Sequence, residues 1–126
     1  MSGERAQVAA WQTVLDAVIA PWHAVTEDLL PTTKPDQYLL LSLTRTLGAP
    51  IYMSGGRAMR AWYLSLRFYG GAIAEAQWMQ EKVATLEDRL NLIPGATALR
   101  WESGLAPEMD NGVAYGLAVY RYAAPV

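Results

Sequence analysis

Eight residues in the middle of the chain constrain its fold more than any others. From Trp62 to Tyr69, the residues Trp62, Leu64, Leu66 and Phe68 alternate with Tyr63, Ser65, Arg67 and Tyr69. This is the two-residue period of a strand with one buried face. The first set is predicted to face the core and the second to carry Arg67 outward, in a strand over Arg57–Tyr69 stopped by Gly70-Gly71. A second strand is predicted over Gln37–Thr44, where Tyr38-Leu39-Leu40-Leu41-Ser42-Leu43 is nearly continuous in apolar residues, as in a strand covered on both faces. Between the two, Leu47–Gly56 places Gly48-Ala49-Pro50 and Ser54-Gly55-Gly56 around Ile51-Tyr52-Met53. It reads as a loop or an extended hairpin arm, apolar where a solvated loop is polar.

The flanks are helical. Val8, Trp11, Leu15 and Val18 align on one face of a helix over Glu4–Ala20, with Ser2 as its candidate N-cap. Pro21 disfavours helical backbone at Ala20 and ends or kinks the helix. Trp22 and Val25 continue the pattern into a short second turn, which would put His23 at a helix end. Pro31-Thr32-Thr33-Lys34-Pro35-Asp36 is a connector. A longer helix is predicted over Ala72–Leu90, with Ala72, Ala76, Met79, Val83, Leu86 and Leu90 as its core stripe. After the Pro94-Gly95 turn come a short strand over Ala96–Glu102 with Leu99 and Trp101 on one face, a polar loop over Ser103–Gly112, and a closing strand over Val113–Tyr122. The order predicts one α+β domain over 1–126: a mostly antiparallel four-stranded sheet, two helices packed on one face, and an extended β-hairpin arm. Its parts are a helix at 1–20, strands with the arm at 37–69, a helix at 72–91 and closing strands at 97–122.

Composition narrows the function. The chain is 52% hydrophobic and 17% charged, against about 25% charged for an ordinary soluble domain. Apolar surface beyond the core is therefore expected. With no cysteine, disulfides, thiolate zinc sites and cysteine nucleophiles are excluded, and His23 alone cannot make a multi-histidine metal site. A net charge of −2 is not that of a polycation built to hold nucleic acid. The apolar runs are too short to span a bilayer, and the N-terminus lacks a signal-peptide layout, so a protein retained where it is made is expected.

Motifs for chemistry are weak throughout. Ser54-Gly55-Gly56-Arg57 lacks the Walker spacing, and Asp110-Asn111-Gly112 lacks the other carboxylates of a calcium loop. Glu102 and Glu108 flank the predicted loop without the pattern of a paired-acid site, and nothing makes His23 part of a triad. No catalytic residue, cofactor or metal is predicted. The chain is not expected to be an enzyme.

Charge and aromatic residues are unevenly placed. Between Asp36 and Glu75 there is no acid, only Arg45, Arg57, Arg60 and Arg67. From Glu75 onward, Glu75, Glu81, Glu87, Asp88, Glu102, Glu108 and Asp110 face Lys82, Arg89, Arg100 and Arg121. Solvated faces account for this split, and so does a head-to-tail ring in which a basic element of one copy meets an acidic surface of the next. Five Trp and seven Tyr stand against one Phe. Tyr52, Tyr63, Tyr69, Tyr120 and Tyr122 fall in the arm or on outer strand positions, suited to edge cover in a monomer or to a subunit contact. Stacking the bases of a single strand on these rings is disfavoured by the net charge.

The order of features resembles the tail terminator (tail-completion) proteins of long-tailed siphophages, especially the small ones of actinobacteriophages. The resemblance runs over nearly the whole chain. It is carried by the amphipathic N-terminal helix, the strand Gln37–Leu43, the arm, the strand Trp62-Tyr63-Leu64-Ser65-Leu66-Arg67-Phe68-Tyr69-Gly70, the helix from Ala74-Glu75-Ala76-Gln77-Trp78 to Leu90, the Leu99–Glu102 strand, the acidic Pro-containing loop, and the aromatic final strand ending Val119-Tyr120-Arg121-Tyr122. It implies a structural virion protein at the tail neck, assembled in the host cytoplasm. Such proteins form a hexameric ring on the head-proximal end of the tail tube, stop its polymerisation and provide the surface to which the head attaches. Implied partners are further copies of the chain, the tail tube protein and a head-completion or connector protein, with DNA passing through the lumen and no membrane contact.

On that reading the subunit interface draws on Ile51, Tyr52, Met53, Arg57, Arg60 and Arg67 of one copy and the acidic helix or Glu102, Glu108 and Asp110 of the next. Another neck or head-completion protein is the alternative. A less favoured one is a small-molecule-binding α+β domain with Trp62, Tyr63 and Tyr115 lining a pocket and Arg67 held there by a carboxylate.

Overall fold

A computed structural model describes residues 3–26, 36–46, 51–52 and 58–125. The alternating segment forms strand β4 (Ala58–Gly70), in which Trp62, Leu64, Leu66 and Phe68 are buried and Arg67 is exposed. Antiparallel to it lies β2 (Tyr38–Arg45), with Leu39, Leu41 and Leu43 opposite Phe68, Leu66 and Leu64. On its other side β6 (Val113–Pro125) puts Ala118, Tyr120 and Tyr122 opposite Leu66, Leu64 and Trp62. Directly opposed residues share a face, so the three strands present one continuous apolar layer. Helices α1 (Glu4–Ile19) and α2 (Ile73–Ala84) cover that layer with Trp11, Leu15, Ile19, Ala76, Met79 and Val83.

Among the described residues three further strands make the sheet six-stranded, not four-stranded. β1 (His23–Val25) runs parallel to β2, β5 (Arg100–Asp110) lies antiparallel beyond β6, and β3 (Ile51–Tyr52) pairs with Ala58 and Met59 of β4. The order is β1-β2-β4-β6-β5, with β3 on the flank of β4.

Several expectations are corrected. The segment after Pro21 is extended, and His23 sits in β1, not at a helix end. There α1 supplies what a strand neighbour otherwise would: Gln12 Nε2 donates to the Ala24 carbonyl at 2.9 Å, and the Ala24 N–H donates to Asp16 Oδ1 at 2.6 Å. The N-cap of α1 is Gly3, Ser2 lying outside the described residues, as does the connector at 31–35. The second helix spans Ile73–Ala84 and stops well short of Leu90. Its chain turns away through Asp88 and Asn91, both with left-handed backbone (φ 68° and 62°). Leu86 still reaches the core, but Leu90 is 70% exposed.

The segment 103–110 is strand, not polar loop. Two register shifts, between Trp101 and Ser103 and between Leu105 and Glu108, break its alternation and disguise it. The true loop is Asn111-Gly112, both at positive φ (51° and 80°), as a two-residue hairpin turn requires.

Tyr120 and Tyr122 are core residues, not outer ones. Tyr122 packs edge-on against Trp11 at 5.2 Å and donates from its hydroxyl to Gln7 Oε1 at 2.5 Å. The Tyr120 hydroxyl is buried without a hydrogen-bond partner, and burial, helped by the nearby Glu87 carboxylate, pushes its pKa up to about 12. An unfolded tyrosine titrates near 10. The stability gained by keeping this hydroxyl neutral is therefore complete below about pH 10 and lost as pH rises towards 12, by ~2–3 kcal/mol. Tyr120→Phe is expected to be neutral or slightly stabilising at pH 7, because it removes a desolvated hydroxyl. It should also flatten the loss of stability above pH 10, which urea titrations at pH 7 and pH 11 measure.

Candidate assembly interface

The two margins of the sheet are finished differently. At β1, Gln12 and Asp16 occupy the backbone of Ala24 on the side away from β2. At the other margin β5 has β6 on one side and, among the described residues, no strand on the other. Its N-terminal half is held from α2 and the turn after it: Gln80 Nε2 donates to the Leu105 carbonyl and to that of Leu117 on the neighbouring β6, and Glu87 Oε1 accepts from the backbone N–H of Trp101 at 3.0 Å. Long exposed margins attract other chains, and bulges and charges are the usual protection. β5 has both, yet it also exposes Trp101, Leu105 and Met109.

That exposure is concentrated. Of the large apolar side chains exposed among the described residues, all but Leu90 lie on β5, at its hairpin (Val113) or at the start of α2 (Ile73). Between α2 and β5 runs an open groove of about 410 Å³ lined by Ile73, Gln77, Gln80, Trp101, Leu105 and Pro107, with Glu81 on its rim. The Trp101 ring forms the groove wall by lying across Gly104 and edge-on to Tyr120 at 5.8 Å. Patches of this kind on a small domain mark contact sites.

The predicted interface residues fall into separate groups. Glu102, Glu108 and Asp110 are all exposed on β5, a strand where a loop was expected. Ile51 and Tyr52 pair with β4 at Met59 and Ala58, which places these two residues near Arg60 at the far end of the sheet. Met53 and Arg57 lie outside the described residues. Arg67 does not belong with Arg60. It lies seven residues along β4, about 23 Å at strand rise, and on the opposite face, between Leu40 and Leu117. The basic stretch is thus two surfaces. On α2 itself the acids are Glu75 and Glu81, Glu87 lying past the helix end.

The helix-free face of the sheet holds a second feature that the sequence pattern missed. Tyr38 stacks on Tyr69 at 4.8 Å, and Tyr69 leans on Tyr115 at 5.3 Å, three opposed tyrosines on β2, β4 and β6. Their register was readable only once the strand pairing was known. This face also settles the ligand pocket: Tyr63 and Tyr115 lie on it, whereas Trp62 points to the opposite, helix-covered face. Trp62, Tyr63 and Tyr115 therefore line no common pocket. Among the described residues no group of three or more His, Asp or Glu side chains is placed to hold a metal ion, and no helix is long and apolar enough to cross a membrane.

No family model matches the chain, and no curated protein matches it in sequence. Among solved structures, a chain from the virion of a native gene transfer agent particle has a similar fold, with a TM-score of 0.66. The two are 17% identical, and the match covers 95% of this chain and 94% of that one. The likeness is one of fold, nearly end to end.

Proposed function

We propose that the chain is a structural virion protein, a tail terminator that closes the head-proximal end of a tail tube as a ring of six copies. In that place it stops tube growth and offers the surface to which the head joins, with DNA passing through the lumen. The observation that carries the reading is the near end-to-end fold likeness to a chain of a virion particle. The apolar β5 margin, which among the described residues has no strand beyond it, supports the reading, because a head-to-tail ring needs a surface on each subunit that a neighbour covers. The partners on this reading are the tail tube protein, a head-completion or connector protein, and further copies of the chain.

Deleting the gene in a producing strain tests the role. Electron micrographs of the lysate are expected to show filled heads separate from tails of uncontrolled, excess length, with whole particles restored by the gene supplied in trans. Detached tails of normal length would assign the chain to head closure and overturn the terminator reading. Intact particles would overturn both.

A further inference from the structure

The groove between α2 and β5 has the chemistry of one particular segment of this same chain. Its walls are apolar (Ile73, Trp101, Leu105, Pro107) and its surroundings acidic, with Glu81 on the rim and Glu102 and Glu108 exposed on β5. The stretch 47–60 is the complement: Leu47, Pro50, Ile51, Tyr52 and Met53 are followed by Arg57 and Arg60, with no acid among them. A subunit cannot fill its own groove. β3 lies on the β2 side of β4 and β5 lies beyond β6, three strand spacings apart or about 14 Å, and the groove sits some six residues further along the strands, about 20 Å.

We infer that the groove is the seat for the β3 region of a second copy, the residues around Ile51 and Tyr52. The inference deepens the ring reading and rests on it. The contact is heterologous: each subunit uses its arm on one side and its groove on the other, the geometry that closes rings instead of pairing two copies. The α1 side chains that occupy the β1 margin leave the β5 side as the face open to a neighbour. Apolar filling holds the contact, and the arginine–glutamate pairs at its rim fix its direction and make it weaken with salt.

The absence of cysteine makes the test clean. Two single variants, Leu105→Cys and Tyr52→Cys, are each mixed with a short bismaleimide, alone and together. Leu105 is exposed, so its replacement leaves the core untouched. The mixture is expected to give a cross-linked dimer at least tenfold more abundant than either variant alone. Equal cross-linking by Leu105→Cys alone would mean a two-fold β5-to-β5 pairing and overturn the inference. A charge swap supplies the second readout: Arg57→Glu should cut the mixed cross-link about tenfold at low salt, and Glu81→Arg on the groove partner should restore most of it. If native mass spectra show an oligomer but no mixed cross-link forms, the groove assignment fails and the ring stands. A chain that stays monomeric at every concentration overturns the groove contact, and the tail-length phenotype then decides the ring reading separately.

Discussion

Replacing Gly104 with alanine is expected to cost about 3 kcal/mol or more and to loosen the first half of β5 from the sheet. A methyl group there would stand 2.3 Å from Cη2 of Trp101 and 2.6 Å from the Leu117 carbonyl oxygen. The indole can swing away, but the carbonyl belongs to β6, which is fixed by its pairing to β4 on the other side. Only the β5 backbone is free to move, and forced overpacking of this kind costs more than an ordinary surface change. Moving it also carries off the Trp101 wall of the groove, so self-association should fall together with stability. Gly71→Ala is the matched control. Its added carbon would meet Glu75 Oε1 at 3.4 Å, an ordinary contact with a flexible tip, and should leave the urea midpoint unchanged. Equal midpoints for the two variants would contradict the close approach at Gly104.

Leu105→Glu separates assembly from folding. The side chain is 60% exposed in the subunit, so exchanging it should alter the stability of the isolated chain by no more than about 0.5 kcal/mol. In the proposed contact the same position would be enclosed, and a carboxylate there would be both desolvated and set beside the acids already on β5. The expected weakening of self-association is a hundredfold or more, about 2.7 kcal/mol, read from sedimentation velocity over a dilution series. An unchanged association constant would remove β5 from the interface.

Much of the fold is legible in the residues themselves, for reasons that are local. The alternation at 62–69 finds the central strand because β4 has a helix-covered face and a helix-free one, so period two survives intact. The apolar run at 38–43 finds β2, and α1 follows from the spacing of Trp11 and Leu15. β5 escapes notice because bulges around Ser103 and before Glu108, together with Gly104 and Pro107, erase its period and imitate a loop. The signal available was Asn111-Gly112, a hairpin turn that demands a strand on both sides. β1 is too short for any period, and its extended form depends on Gln12 and Asp16 reaching it from a helix whose docking no local pattern reveals.

The candidate interface was legible in part. Charge alone singles out Glu102, Glu108 and Asp110, and all three are exposed on β5, the strand that forms one wall of the groove. Nothing local singles out Leu105 and Met109, because an apolar residue in a presumed loop carries no sign of what covers it, and Trp101 reads as a strand residue on the same face as Leu99. Nearness in sequence groups Arg67 with Arg60, although seven residues of strand reverse the face on which a side chain stands. Tyr120 and Tyr122 read as outer residues for want of the register that pairs them with Leu64 and Trp62. In each case the missing information is the lateral partner of a strand.

The measurement that bears most directly on ring assembly is native mass spectrometry of the unmodified chain over a concentration series, at low and then moderate salt. A single closed hexamer is expected at low salt, without a ladder of open intermediates, dissociating as the ionic strength rises and the arginine–glutamate rim is screened. A monomer at every concentration, or a dimer that grows no further and ignores salt, would contradict ring closure of the chain through its groove.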